Sequence, residues 1–445
     1  MIIAPVKVKL NATLGVTFGI AIGIGSVIGV GILRTPGEVA ALVPNPLLIM
    51  LCWLLGGVYV LLGVGTYAEL AAMLPKAGGS YNYIKRAFGN FTGFYAGWMD
   101  YIVNAIGPAY FCIVISEYLA LLLPALRGFE KPVAITILFL FTMLHLVNVK
   151  TGSIIQQVMS LIKVIMFLSL VIALLIFSDN VEGKLFNATS VNTLAKGGLL
   201  VGFFKAMQLV LGTYDGWMSA CVFAEEDKNP GRNIPRSLFI GASIVIAIYV
   251  LVNASFLHVL PVATLAKSAL PASDAALLIF GQSGATVVTI IAVVSLLSIL
   301  NVYMMIPSRI LFGLSRDGFF TNSFVKVNKG GTPVYALLLS ASLSCILIII
   351  GSFGALFSLA AFLLLIVLLL TFSSIIALRI KEPELIRPYR SKGYPYTTYL
   401  LIICTAALFI GFAIADVKNM LIITALFVCS SLLYYFLVKN RMVNS

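Results

Sequence analysis

Apolar residues in this chain gather into long runs, and charged residues fall mostly between them. A helix needs about 20 apolar residues to cross a bilayer core. Twelve runs approach or exceed that length: 12–43, 47–72, 92–123, 132–150, 153–178, 199–226, 236–260, 284–315, 334–352, 355–379, 398–415 and 418–438. The pattern predicts an all-α polytopic membrane protein with twelve transmembrane helices, because a helix closes its backbone hydrogen bonds within the segment.

Two runs are interrupted. Run 1 carries Gly19, Gly23, Gly25, Gly29 and Gly31, followed by Pro36 and Gly37. Glycine at that density disfavours continuous helix. Run 6 reads Gly212-Thr213-Tyr214-Asp215-Gly216-Trp217, with an acid in mid-membrane. Runs 1 and 6 lie five spans apart. Breaks at corresponding positions of two halves predict a 5+5 inverted repeat with a binding site at the breaks. Close packing through small residues, for which Gly25 and Gly29 have the right spacing, is the competing account. The predicted organisation is one transporter domain over 1–445. Its first repeat covers 12–178, its second 199–379, and two further spans occupy 398–438.

Composition agrees with a membrane protein. The chain is 61% hydrophobic and 10% charged, with a mean hydropathy of +1.08. The net charge of +13 raises the question of a polyanionic partner. Placing the N-terminus in the cytoplasm puts 20 of the 29 basic residues on that side. The excess then reads as the positive-inside signal, with both termini cytoplasmic and no nucleic-acid partner. The six cysteines lie in apolar stretches without CxxC spacing, so neither a disulfide framework nor a zinc site is expected. His145 and His258 are far apart, and no metal or cofactor is expected. The apolar N-terminal stretch reads as a first span and not a removed signal.

At a break, one half-helix ends in free N–H groups and the other in free C=O groups. The first attracts a carboxylate, with help from the helix dipole, and the second an ammonium. Two adjacent breaks therefore suit a zwitterion of amino-acid shape. The substrate carboxylate is expected at the N–H groups of Val30, Gly31 and Ile32. The ammonium is expected at carbonyls near Ile28, beside Gly29, and at Gly212, Thr213 and Tyr214, with Asp215 and Gly216 completing the site.

Lys163 lies ten residues into span 5, roughly 15 Å deep. A charge there is costly and reads as functional. Its ammonium is expected on carbonyls freed by the first break, with Gly25 the leading candidate and Ser26 beside it. It then acts as a fixed cation or as a titrating proton carrier. Asp215 is open to three readings: a proton site, a bond to freed N–H groups, or a cap on the break. Trp217, Tyr249 and Asn253 are possible accessory residues. Lys205 is expected to snorkel, Arg34 to cap or steer at the first break, and Asp100 and Glu117 to be solvated near the ends of span 3.

The residues also carry a family resemblance along nearly the whole chain. Ile28-Gly29-Val30-Gly31-Ile32 resembles an unwound glycine motif. Tyr67-Ala68-Glu69 with Pro75-Lys76-Ala77-Gly78-Gly79-Ser80-Tyr81 resembles a characteristic loop after span 2. Further matches are Tyr214-Asp215-Gly216-Trp217, Asn229-Pro230 through Arg236, Pro307-Ser308-Arg309 with Gly331-Thr332-Pro333, and Arg387-Pro388-Tyr389-Arg390. Together they resemble the amino acid–polyamine–organocation superfamily, in its L-amino-acid transporter-like branch.

That resemblance implies a LeuT-type fold with helices 1 and 6 unwound in mid-membrane. It also implies sodium-independent transport by alternating access, with the Lys163 amine in place of a sodium ion. The family usually has an aromatic lid where this chain has Gly212. Animal relatives join a heavy subunit through a cysteine between spans 3 and 4. The corresponding loop, 124–131, has none, so a stand-alone, prokaryotic protein without a disulfide-linked heavy subunit is expected.

Small residues at Val30, Gly212, Thr213 and Gly216 favour small neutral L-amino acids as substrates, and the resemblance, whose nearby members are often exchangers, implies exchange across the plasma membrane. The alternative is a proton-coupled symporter using Lys163. An intramembrane aspartyl protease is disfavoured because Asp100 lacks the glycine context of a second catalytic aspartate, so no enzyme is expected. A channel would need a filter loop or charged ring, and neither is visible.

Overall fold

The computed structural model describes residues 10, 12–29, 31–177, 198–415 and 417–439. The basic residues Lys7, Lys9, Lys184, Lys196 and Arg441 lie outside them. The fold is all-α. The chain runs α1 (Val16–Val27), α2 (Gly31–Leu42), α3 (Pro46–Met73), α4 (Ser80–Phe88), α5 (Asn90–Leu122), α6 (Glu130–Val147) and α7 (Val149–Ile176). It continues with α8 (Gly198–Thr213), α9 (Pro230–Val259), α10 (Val262–Leu265), α11 (Pro271–Arg316), α12 (Val334–Ile350), α13 (Phe353–Lys381), α14 (Tyr396–Ala415) and α15 (Val417–Leu433).

Local chemistry sets several of the boundaries. The Asn45 side chain accepts from Leu47 N at 3.0 Å and Leu48 N at 3.2 Å, with Pro46 at the first helical position of α3. Asn148 does the same for Lys150 N and starts α7. The long helix α11 is kinked at Gly281 (φ 63°, ψ −156°), ahead of the expected start of span 8. Helix α4 has no apolar run to mark it in the sequence. It is short and carries both charges and aromatics, and it buries Tyr81, Tyr83, Ile84 and Ala87.

Among the described residues, eight helices are long and apolar enough to cross a bilayer: α3, α5, α6, α7, α9, α11, α13 and α15. The pair α1 and α2, bent by 45°, makes a ninth when taken as one span. α8, α12 and α14 are shorter apolar helices. The protein is a multi-pass membrane protein.

The faces of α7 show how the fold sits in lipid. Gln156, Ser160, Lys163 and Phe167 are buried, whereas Ile154, Val158, Leu161, Ile165 and Ile172 are exposed. Polar groups point inward and aliphatic ones outward, the reverse of a helix on a soluble protein. Within the bundle, α5 packs on α11 and α13, and α3 and α1 pack on α9.

Ion pairs gather at the end of the molecule that holds Leu10 and α4. They are Lys85–Asp317 (2.7 Å), Arg86–Glu382 (2.7 Å), Arg309–Glu226 (3.1 Å), Arg316–Glu225 (2.7 Å) and Arg379–Glu69 (2.6 Å). Glu69, fully buried, also meets Arg387 at 3.4 Å and accepts from Ser391 N at 2.6 Å. Glu225 accepts from the backbone of both Leu10 (3.0 Å) and Ala77 (2.9 Å), which ties Leu10 to this layer.

Candidate functional site

Both interrupted runs are broken in the structure. α1 ends at Val27, and Ile28 is extended (φ −70°, ψ 109°) before α2 begins at Gly31. α8 ends at Thr213, a turn covers 214–218, and a 3-10 helix follows over Ser219–Glu226. Val30 lies outside the described residues.

The two breaks are tied directly to each other. Ser26 Oγ donates to Gly216 O at 2.8 Å. Gly216 sits at φ +102°, and a Cβ there would lie 2.7 Å from Ser26 O, so geometry and space both require glycine. Asp215 caps its own break by accepting from Gly216 N at 2.7 Å. The Tyr249 hydroxyl lies 2.9 Å from Val27 O and 3.1 Å from Thr213 O, one proton shared between two freed carbonyls. Thr213 Oγ1 lies 3.0 Å from Thr35 Oγ1, which links α8 to α2.

Lys163 reaches the first break from α7. It is 1% exposed, and its Nζ donates to Gly25 O at 3.1 Å and to Ile28 O at 2.5 Å. Ser295 of α11 also donates to Ile28 O, at 3.3 Å. The Ile28 carbonyl, expected to meet a substrate ammonium, is therefore already engaged, as is that of Thr213. One and two turns before Lys163 on the same face, the pattern extends. Ser160 Oγ donates to Ala21 O at 2.7 Å, and Gln156 Nε2 to Ala21 O at 3.3 Å and Ser298 Oγ at 3.2 Å. Asn301 Nδ2 donates to Gln156 Oε1 at 2.9 Å. The Gln156 amide occupies the space a Gly25 side chain would need, so Gly25 allows α1 to approach α7.

A cavity of about 400 Å³ lies against the breaks. Ser26, Gly29 and Gly31 from the first break and Gly212, Thr213, Asp215 and Trp217 from the second line it. It extends along α2 past Arg34, Thr35 and Glu38, and none of the ion-paired residues line it. Gly25, Ile28, Ile32, Lys163, Tyr214, Gly216 and Tyr249 are not on its wall. They hold the breaks from behind, Tyr214 through a 3.2 Å bond from its hydroxyl to Trp53 O. The remaining walls come from α3, α5, α11, α13 and α14, with Tyr110, Phe111, Ile299, Tyr303 and Phe357 among them. Within an apolar span nothing marks which residues face a cavity, so sequence reading missed these.

Asp100 differs from expectation. It is 7% exposed and accepts from Asn104 Nδ2 at 2.9 Å, facing a small void that Asp215 also lines. It lies ten residues inside α5, beyond reach of solvent at the helix end. Glu117 and Lys205 are exposed. Asn253 donates within its own helix, to Tyr249 O at 2.8 Å.

A model of the family described as "Amino acid permease" matches residues 14–439. The chain belongs to the amino acid permease family. The motif resemblance to the amino acid–polyamine–organocation superfamily holds along this permease. It is 28% identical over 403 residues to the serine/threonine exchanger SteT of Bacillus subtilis, covering 88% of this permease and 89% of the relative. The human b(0,+)-type amino acid transporter 1 is 28% identical over 450 residues, covering 97% and 89%. The rat large neutral amino acids transporter small subunit 2 is 26% identical over 399 residues, covering 86% and 73%. As an amino acid permease the chain is a transporter and not an enzyme.

These relatives correct one expectation. The rat relative is by name a small subunit, part of an assembly, so the expectation that this permease stands alone without a disulfide-linked heavy subunit falls. A missing cysteine in the loop 124–131 bears only on one covalent link.

Proposed function

We propose that this permease exchanges small neutral L-amino acids across the plasma membrane, without sodium, by alternating access. In this reading twelve helices form a LeuT-type fold with repeats at 12–178 and 199–379, two added helices at 398–438, and both termini in the cytoplasm. A bundle of spans 1, 2, 6 and 7 rocks against the rest. The substrate lies in the cavity between the breaks, with its carboxylate on N–H groups at the start of α2 and its ammonium on carbonyls of the broken spans not already engaged.

The observation that carries the reading is the Lys163 ammonium on Gly25 O and Ile28 O. A covalently tethered cation at the broken helix removes the need for a diffusible one. Exchange and small hydroxylated substrates are supported by the serine/threonine exchanger among the relatives. The ion-pair layer at the Leu10 end and the cavity running along α2 fit a state closed on the cytoplasmic side.

Counterflow into proteoliposomes tests this. Labelled serine should enter vesicles loaded with unlabelled serine and stay out of empty ones, with or without sodium. A second reading, a proton-coupled symporter, has one favourable observation: among the described residues the hydrogen-bond partners of Lys163 are the neutral carbonyls of Gly25 and Ile28. Uptake into empty vesicles driven by a pH gradient, and lost in Lys163→Ala, would favour it over exchange.

A further inference from the structure

Phe357, in the second turn of α13, is 38% exposed and lines the cavity. Opposite it, α8 reaches its break without a side chain. A Cβ built on Gly212 would meet Phe357 Cζ at 4.0 Å and nothing else within that distance. Both residues line the cavity beside Thr213 and Asp215. On its other side the ring packs edge-on against Tyr110 of α5, with centroids 5.8 Å apart and planes at 86°. Tyr110 is in turn steadied by Phe111 at 4.3 Å.

We propose that Phe357 is the lid that closes over the bound amino acid, with the vacant volume at Gly212 receiving its ring. The lid comes from α13 and not from the broken span. The ring tip already stands at contact distance from the Gly212 Cβ position while its other side meets Tyr110, and a phenylalanine side chain turns about two bonds only, so tilting it over an occupant requires little ordering. Covering an occupant removes the exposed ring from water, which favours the closed arrangement only when the cavity is filled. Gly212 then serves as the socket of a lid carried elsewhere.

This inference rests on the cavity being the amino-acid site, and its test separates the two. The KM for labelled serine is measured by counterflow in four proteins: wild type, Phe357→Ala, Gly212→Phe, and the double variant that moves the ring from α13 to α8. Loss of the lid should raise KM about tenfold in Phe357→Ala, the scale of a lost aromatic contact. Gly212→Phe alone should raise it as well, because two rings compete for one volume. The double variant should return to within about threefold of wild type. Phe357→Leu, which keeps apolar bulk, is read in place of Phe357→Ala if the latter melts at lower temperature than wild type. Unchanged KM in the Phe357 variants, or a double variant no better than Phe357→Ala, overturns the lid alone. A wild-type protein without counterflow overturns the amino-acid reading and the lid with it.

Discussion

The hydroxyl of Ser26 and the carbonyl of Gly216 are 2.8 Å apart, so the last turn of α1 and the turn after α8 form one hydrogen-bonded joint. The joint depends on Gly216 having no side chain. Gly216→Ala should lower stability by about 1–2 kcal/mol from its positive φ alone, with the clash against Ser26 O in addition. Because the clash is with backbone, Ser26→Ala should not rescue it. The melting temperature of purified protein in detergent reads both variants.

Lys163 supports the first break from a different helix. Lys163→Ala takes the ammonium donor from both carbonyls; Ile28 O keeps Ser295 as a donor, whereas the buried Gly25 O loses its side-chain partner, at a cost of about 1–3 kcal/mol. Counterflow of labelled serine should fall by at least about tenfold on that scale. Full activity in Lys163→Ala would remove the lysine from the mechanism in either of its roles.

Tyr249 tests whether the two breaks act together. Tyr249→Phe keeps the ring contacts with Trp53 (5.7 Å) and Tyr214 (4.8 Å) but removes the proton shared by Val27 O and Thr213 O. The protein should fold, and counterflow should slow about fivefold or more, the lower end of what one lost buried hydrogen bond produces. A rate equal to wild type would show that the bridge is dispensable.

At the ion-paired end, Glu69 joins α3 to Arg379, Arg387 and Ser391. Glu69→Gln leaves two arginines facing a neutral amide. Removing one partner of a buried pair costs about 3–5 kcal/mol. The closed end should open more often. Cys221 lies just inside it, is 1% exposed and lines the small void beside Asp215, so it reports that opening. In a background with the other five cysteines replaced, Glu69→Gln should speed maleimide labelling of Cys221 several-fold; an unchanged rate would count against a sealing role.

Much of the architecture was legible because its signals are uneven. Five glycines in one apolar run and the Gly-Thr-Tyr-Asp-Gly sequence in another stand out, and both fall where helix stops. A lysine in mid-span stands out as sharply, and its carbonyl partner at Gly25 follows from its depth. The cavity wall did not, because Tyr110, Phe111 and Phe357 look like any lipid-facing aromatic when read along the chain. The polar stripe Gln156, Ser160 and Lys163 had a usable signal, three polar residues at helical spacing in an oily span. The burial of Asp100 was missed because distance along a span says little about which side of a helix faces solvent. The partner expectation failed because one missing cysteine was made to stand for a whole surface.

The tether of Lys163 has an energetic consequence. Its positive charge belongs to α7 and returns with the chain at the end of every cycle. As the fixed cation of the exchange reading, it therefore transfers no charge from one side of the membrane to the other over a full cycle and draws no work from the membrane potential. Under the exchange reading, the amino-acid pools on the two sides supply the only force. Such a protein trades one amino acid for another until their ratios match, and leaves the total amount on each side unchanged.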